Sequence, residues 1–264
     1  MDLGLKGKKA LITGASRGLG FAVAQMLALE GCDIAINSRH YGGLKKAAER
    51  IRAAGAKNAI MLVSGDLADP ATPADVVKKA AKELKGLDIL ITNTGGPPAG
   101  AFEDIDEETW LDAVHLVFLA HVRLVRAALP FLKQSPSPSV LAVASYSVKQ
   151  PIPNLVLSNS VRAATVNLMK TLALELGPQG IRFNAILPGW TKTERVTELM
   201  QQRAEANGTD INEEIKKQTR EIALGRMAEP EEFAKAAVFL ASPAAAYITG
   251  AMLSVDGGAY KGAC

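Results

Sequence analysis

Seven short apolar runs punctuate the chain: KKALIT (8–13), CDIAIN (32–37), NAIMLV (58–63), LDILIT (87–92), SVLAVAS (139–145), IRFNAIL (181–187) and AMLSV (251–255). Each is rich in strand-forming residues and too short for a typical helix, so each predicts a β-strand. Between them, amphipathic stretches predict helices near 18–30, 43–54, 73–85, 107–133, 155–177, 194–221 and 230–241. Glu107 three residues after Asp104, and Pro230 after Glu229, are helix start signals. Such alternation predicts an α/β fold, a doubly wound seven-stranded parallel sheet with helices on both faces, in a single domain spanning 1–264. The charged stretch 194–222, which contains Gly208, interrupts the alternation with one long helix and predicts a mobile lid over a substrate.

Composition narrows the function class. Charged residues make up 22% and the formal net charge is +3 with no Lys/Arg block. That field is too weak and diffuse to argue for nucleic acid or a membrane surface, so a small-molecule substrate is expected. The two cysteines, Cys32 and Cys264, give neither a disulfide framework nor a metal-ligand spacing. With no signal-peptide succession and no apolar run approaching a bilayer span, a cytoplasmic location is expected.

The run TGASRGLG (13–20) follows the first predicted strand and opens a helix, the context that a phosphate-binding glycine turn requires. Gly14 permits the tight turn, Gly18 lets backbone approach a pyrophosphate, and Gly20 allows close helix-to-strand packing. The second strand ends in Asn37, Ser38, Arg39 and His40, with no carboxylate to hold ribose hydroxyls. A guanidinium matches a phosphate, so Arg39, with Arg17 in the glycine turn, favours NADP(H) over NAD(H) as cofactor.

The spacing TGxxxGxG resembles the short-chain dehydrogenase/reductase family, and the likeness continues along nearly the whole chain, closest to its 3-oxoacyl-carrier-protein-reductase-like branch. Asp66 in GDLAD resembles the family's adenine-contacting aspartate, and Asn93 in TNTGG the asparagine of its NNAG motif. Pro188, Gly189 and Thr193 resemble the PGxxxT motif beside the nicotinamide, and VDGG (255–258) the C-terminal signature. The resemblance implies a Rossmann-type sheet of order 3-2-1-4-5-6-7 and a homotetramer or homodimer. It implies cofactor contacts by Gly14, Ser16, Arg17, Gly18, Leu19, Gly20, Arg39, Asp66, Leu67, Asn93, Gly95, Arg162, Pro188, Gly189, Thr191 and Thr193.

The family's catalytic set is a serine, a tyrosine thirteen residues on, a lysine four beyond that, and an asparagine in the preceding helix. Ser145 matches the serine. Ser158 stands at the tyrosine position, Arg162 at the lysine position and, counting from Trp110, Val117 at the asparagine position, with Arg123 matching further along. A serine hydroxyl titrates far above a phenol, and an arginine stays protonated, so the proton donor must be non-standard. Tyr146 and Lys149, just after Ser145, are the alternatives, and Lys149 is the better one because burial lowers a lysine's pKa. The literal YxxxK formed by Tyr41 and Lys45 lies at the adenosine end and is read as coincidence. His121, in the apolar run LVFLAHVRLV, is read as packed or at a subunit interface, and TGGPPAG (94–100) as a pocket wall. Two functions stay open: an NADP(H)-dependent oxidoreductase acting on carbonyl or alcohol groups, and a non-catalytic NADP(H)-binding sensor or assembly protein.

Overall fold

The computed structural model describes residues 1–263. The seven apolar runs form seven strands: β1 (Lys9–Ile12), β2 (Asp33–Ser38), β3 (Ile60–Ser64), β4 (Ile89–Thr92), β5 (Ser139–Val143), β6 (Arg182–Pro188) and β7 (Met252–Val255). All pair in parallel, in the order β3-β2-β1-β4-β5-β6-β7. The helices are α1 (Gly18–Leu29), α2 (Tyr41–Ala53), α3 (Thr72–Leu84), α4 (Glu107–Val114), α5 (Ala120–Leu132), α6 (Val156–Leu176), α7 (Glu194–Asn207), α8 (Ile211–Arg220) and α9 (Pro230–Ala241).

Side chains along each strand alternate between two cores. Ile12, Ile34, Ile36, Leu141 and Val143 pack with α1, α2 and α9, whereas Leu11, Ala35, Leu90, Val140 and Phe183 pack with α3, α5 and α6. A strand covered on both faces has no solvent side to make polar, which explains the nearly unbroken apolar runs. Cys32 belongs to this packing: it is buried, and burial pushes its thiol up to about 12. Cys264 lies outside the described residues.

Three local expectations are corrected. The helix after the fourth strand is capped by Asp106, whose carboxylate accepts from Thr109 N at 2.8 Å, and not by Asp104, which lies in a preceding 3₁₀ turn. The same helix runs from Glu107 to Leu132 through one π-helical segment, His115–Leu119, and its apolar window, of mean hydropathy 1.4, is long and apolar enough to cross a membrane. Only 33% of that window is buried, so the helix packs one face on the domain and leaves apolar residues such as Leu111 outside. Finally, the single charged helix expected over 194–221 is two helices, because Gly208 takes a left-handed φ of 63° and ends α7. A glycine meets that conformation without the steric cost of a Cβ.

Candidate functional site

The strand order reverses between β1 and β4, and a cavity of about 580 Å³ opens at the carboxyl ends of the strands there. Parallel sheets of this kind bind ligands at that switch point, since the turns on either side splay apart. One end of the wall is built by the turns after β1, β2 and β3, the other by the turns after β5 and β6 with α6 and α7.

At the first end the glycine turn is fixed by close backbone approach. A Cβ on Gly20 would fall 2.3 Å from the Gly14 carbonyl oxygen, so α1 can reach the turn only with glycine there. Asn93 secures the turn from the neighbouring strand, donating from Nδ2 to Gly14 O at 3.1 Å, while its own N–H donates to Thr13 Oγ1 at 2.9 Å. Thr13 thus acts as the clamp between β1 and β4, a role the sequence reading missed. Gly20 itself supports the wall without lining it, whereas Gly14, Ser16, Arg17, Gly18 and Leu19 line it. Arg39, Asp66 and Leu67 line the same end; Arg39 and Asp66 are exposed and Leu67 is buried.

This end fits a dinucleotide. Helix α1 opens at Gly18 with no side chain capping its first turn, so its amide N–H groups and positive dipole end are free for a pyrophosphate. A Cβ on Gly18 would meet only the Thr193 side chain, at 3.7 Å, which leaves the approach open. Arg17 is 62% exposed and lies 3.8 Å from Glu198, so one cation already stands beside the turn.

At the second end the side chains come from β5, β6 and α6. Ser145 begins a 3₁₀ turn after β5, and its Oγ accepts from Ser147 N at 3.1 Å. Ser158 and Arg162 are one turn apart on α6, and the guanidinium Nε donates to Ser158 Oγ at 3.2 Å. Arg162 is 9% exposed, and Nη1 donates to Val143 O at 3.4 Å. Burial, with the charge of Arg195 adding to it, lowers Arg162 to about 10, so it remains a cation at neutral pH. Asn93, Gly95, Pro188, Gly189, Thr191 and Thr193 complete the wall beside them. Gly189 is obligatory there: a Cβ would sit 2.6 Å from Asp256 Cα, where the turn after β6 packs on the VDGG segment.

Several candidates lie elsewhere. Lys149, expected on the substrate side, is absent from the cavity wall; the short turn 146–148 carries it away, and its Nζ sits 5.2 Å from the centre of the Tyr260 ring. Tyr146 does line the cavity, but it is buried and its hydroxyl accepts from Trp190 Nε1 at 2.9 Å. Burial raises its pKa above the ordinary phenol value. Val117 is fully buried in the π-helical segment among Ala113, Leu157 and Val161, and contributes only its carbonyl, which accepts from Thr165 Oγ1 at 2.8 Å. His121 is packed, with Nδ1 2.7 Å from Thr92 Oγ1, and burial lowers it to about 3. Tyr41 and Lys45 lie off the cavity, as read. Conversely, Ile152, Leu155, Trp190 and Arg195 line it and were not foreseen. The signal for Arg195 is a cation two residues after Thr193, in the first turn of α7.

A glycine cradle at a parallel-sheet switch point, opening into a chamber walled by two serine hydroxyls and a buried cation, defines a dinucleotide-binding protein with space for a second ligand. A family model described as enoyl-(acyl carrier protein) reductase matches residues 14–260. The chain is 36% identical to an L-rhamnose 1-dehydrogenase (NAD(P)(+)) of Sphingomonas sp., over 97% of each chain. It is similar to the solved L-sorbose reductase of Gluconobacter frateurii, complexed with NADPH and L-sorbose (TM-score 0.94, 32% identity, 99% and 100% of the chains). It is also similar to a short-chain oxidoreductase of Pseudomonas aeruginosa described as containing an atypical catalytic center (TM-score 0.88, 29% identity, 100% of both). The chain belongs to the short-chain dehydrogenase/reductase family, whose members here are NAD(P)-dependent oxidoreductases acting on alcohol or carbonyl groups.

Proposed function

We propose that this protein is an NADP(H)-dependent oxidoreductase that interconverts a carbonyl and an alcohol, using a Ser158–Arg162 pair where relatives use tyrosine and lysine. The observation that carries the reading is the continuity of one cavity from the glycine turn to Ser145, Ser158 and Arg162. A protein that only sensed the nucleotide would not need hydroxyls and a buried cation at the far end.

Gly14, Ser16, Gly18 and Leu19 would hold the pyrophosphate, with Gly20 supporting the turn behind them, and Asp66, Leu67 and Asn93 the adenosine side. Arg17 and Arg39 would take the 2′-phosphate, and the NADPH in the sorbose reductase complex supports that preference. Gly95, Pro188, Gly189, Thr191 and Thr193 would flank the nicotinamide, with Arg162 reaching its ribose. Bound NADPH supplies the hydride.

The remaining chemistry belongs to the chain. Ser145 donates its O–H to the substrate oxygen and draws electron density from the carbonyl carbon. Ser158 accepts the Arg162 N–H, which leaves the serine proton for the substrate oxygen. As negative charge grows on that oxygen, the proton passes from Ser158 Oγ, the adjacent guanidinium offsets the charge left on the serine, and water restores the proton. Lys149, oriented toward Tyr260, has no part in this scheme.

Helices α7 and α8 would form the lid, with Arg195 and Glu198 on its cavity side. The apolar outer face of Glu107–Leu132, with Leu174 of α6 at 72% exposure, supports packing against a second copy, as a dimer or tetramer in the cytoplasm. Calorimetric titration of NADPH followed by a panel of aldehydes, ketones and alcohols, read by nicotinamide absorbance, tests the whole. Cofactor-dependent turnover is expected; tight binding without turnover on any of the panel would return the non-catalytic reading.

A further inference from the structure

Two guanidinium groups line the cavity beyond the glycine turn: Arg162, and Arg195, whose one carboxylate partner among the described residues, Glu198, stands 4.0 Å away. Arg162 is nearly buried, and its hydrogen bonds go to a neutral hydroxyl and a neutral carbonyl, 3.2 and 3.4 Å away. Among the described residues no carboxylate pairs with it. A guanidinium has five N–H donors, so these two bonds and the proposed ribose contact still leave donors for a further ligand. Arg195 enters from α7: its Nη2 donates to Pro97 O at 2.9 Å, and its side chain lies over Gly96 in the turn after β4. Its charge is felt at Arg162, where it acts against the protonated form.

Glu198 does not balance the two. It lines the cavity half-exposed, 4.0 Å from Arg195 and 3.8 Å from Arg17, and so is shared between those two and does not pair with Arg162. Like charges that line one cavity repel, and burying an uncompensated cation such as Arg162 is costly unless a ligand completes it. The cofactor's pyrophosphate belongs at the glycine turn beside Arg17, whereas Arg195 turns to the loop after β4 at Gly96 and Pro97. The same cavity is lined by Ile152, Leu155 and Leu199, with Glu194 and Glu198 on the α7 side, so apolar walls stand beside the two cations.

We infer that the substrate carries a compact oxyanion, a carboxylate or a phosphate, held by Arg195 and Arg162 while its carbonyl faces Ser145 and Ser158. Both anions match a planar guanidinium with paired hydrogen bonds. Calling this ligand the substrate rests on the oxidoreductase reading; the anion site itself does not.

The test uses matched pairs that differ in charge: levulinate against methyl levulinate, and dihydroxyacetone phosphate against dihydroxyacetone. Each is titrated calorimetrically at low salt into protein with and without saturating NADP⁺, which permits binding but no reduction. At least one anion is expected to bind at least about tenfold tighter than its neutral partner, and the pair that does so identifies carboxylate or phosphate. Arg195→Gln is expected to erase that difference while NADP⁺ affinity stays within about twofold, and Arg195→Lys to restore part of it. Equal binding of charged and neutral partners, or a charge preference that survives Arg195→Gln, overturns the inference. Arg195-dependent anion binding with no turnover of any compound leaves the anion site standing and removes the oxidoreductase reading. Turnover of neutral carbonyls without charge preference does the reverse.

Discussion

Ser158 and Arg162 are joined across one turn of α6 by a 3.2 Å hydrogen bond from guanidinium to hydroxyl. The pair keeps the spacing of a tyrosine and lysine, but it places the proton on an alcohol whose acidity depends on the neighbouring cation. Ser158→Ala is therefore expected to lower kcat by about 10²-fold or more with NADPH affinity nearly unchanged, since a positioned proton donor contributes on that order. Arg162→Gln is expected to lower kcat similarly and to weaken NADPH binding as well, because it loses the ribose contact too. Steady-state kinetics beside calorimetric NADPH titration separate the two; unchanged turnover in Ser158→Ala would eliminate the serine as donor.

Arg39 lines the nucleotide end of the cavity with no carboxylate beside it on Asn37 and Ser38. Arg39→Asp is expected to weaken NADPH binding by about tenfold or more, the loss of one charge-assisted contact plus new repulsion, and to leave NADH binding equal or improved. Parallel titrations of the two nucleotides check this.

Glu198 occupies Arg17 from the lid side, at 3.8 Å between exposed groups. A surface pair of this kind is worth at most about 1 kcal/mol. Glu198→Gln is thus expected to tighten NADPH binding by up to about fivefold, through release of Arg17 and removal of a negative charge near the 2′-phosphate. The gain should shrink as salt is raised, since the interaction is screened; a salt-independent gain would point to lid packing instead.

His121 is fully buried and held down to about 3 by burial, with the Arg162 charge adding to it. The folded chain stays neutral at this ring while the unfolded chain takes a proton below about pH 6.5, so stability falls as pH falls from about 6.5 toward 3. One proton corresponds to about 1.4 kcal/mol per pH unit in that window. Glu214 and Glu232, held near 2 by hydrogen bonds from Lys217 and Arg226, act only below the ordinary glutamate range. Urea unfolding between pH 6.5 and 5 therefore reads the histidine, and His121→Gln is expected to flatten the slope by about one proton.

The strands were legible because each apolar run is local and its environment, two covering helix layers, is uniform, whereas their order followed only from the resemblance to the family. The glycine turn was legible for the same reason: Gly14, Gly18 and Gly20 act within eight residues. What failed to show depends on geometry between distant segments. Arg195 reaches the cavity only because α7 folds back over Pro97, a contact ninety-eight positions apart. Lys149 was misplaced because a three-residue turn sets its direction, and its neighbour Tyr260 arrives from the far end of the chain. The break was written locally, in Asn207, Gly208 and the cap Asp210, but the charged helix formers further out on both sides masked it.

The cavity wall has a division of labour with a consequence for how such a protein changes over time. The turns after β1, β2 and β3 build the nucleotide end, while Ser145, Ser158 and Arg162 come from segments beyond residue 139. Exchanging a proton donor on α6 leaves the Gly14–Asn93 contact and the α1 entry untouched. New reactivity can thus be sampled on the later segments of the chain at constant coenzyme supply, without relearning which nucleotide to hold.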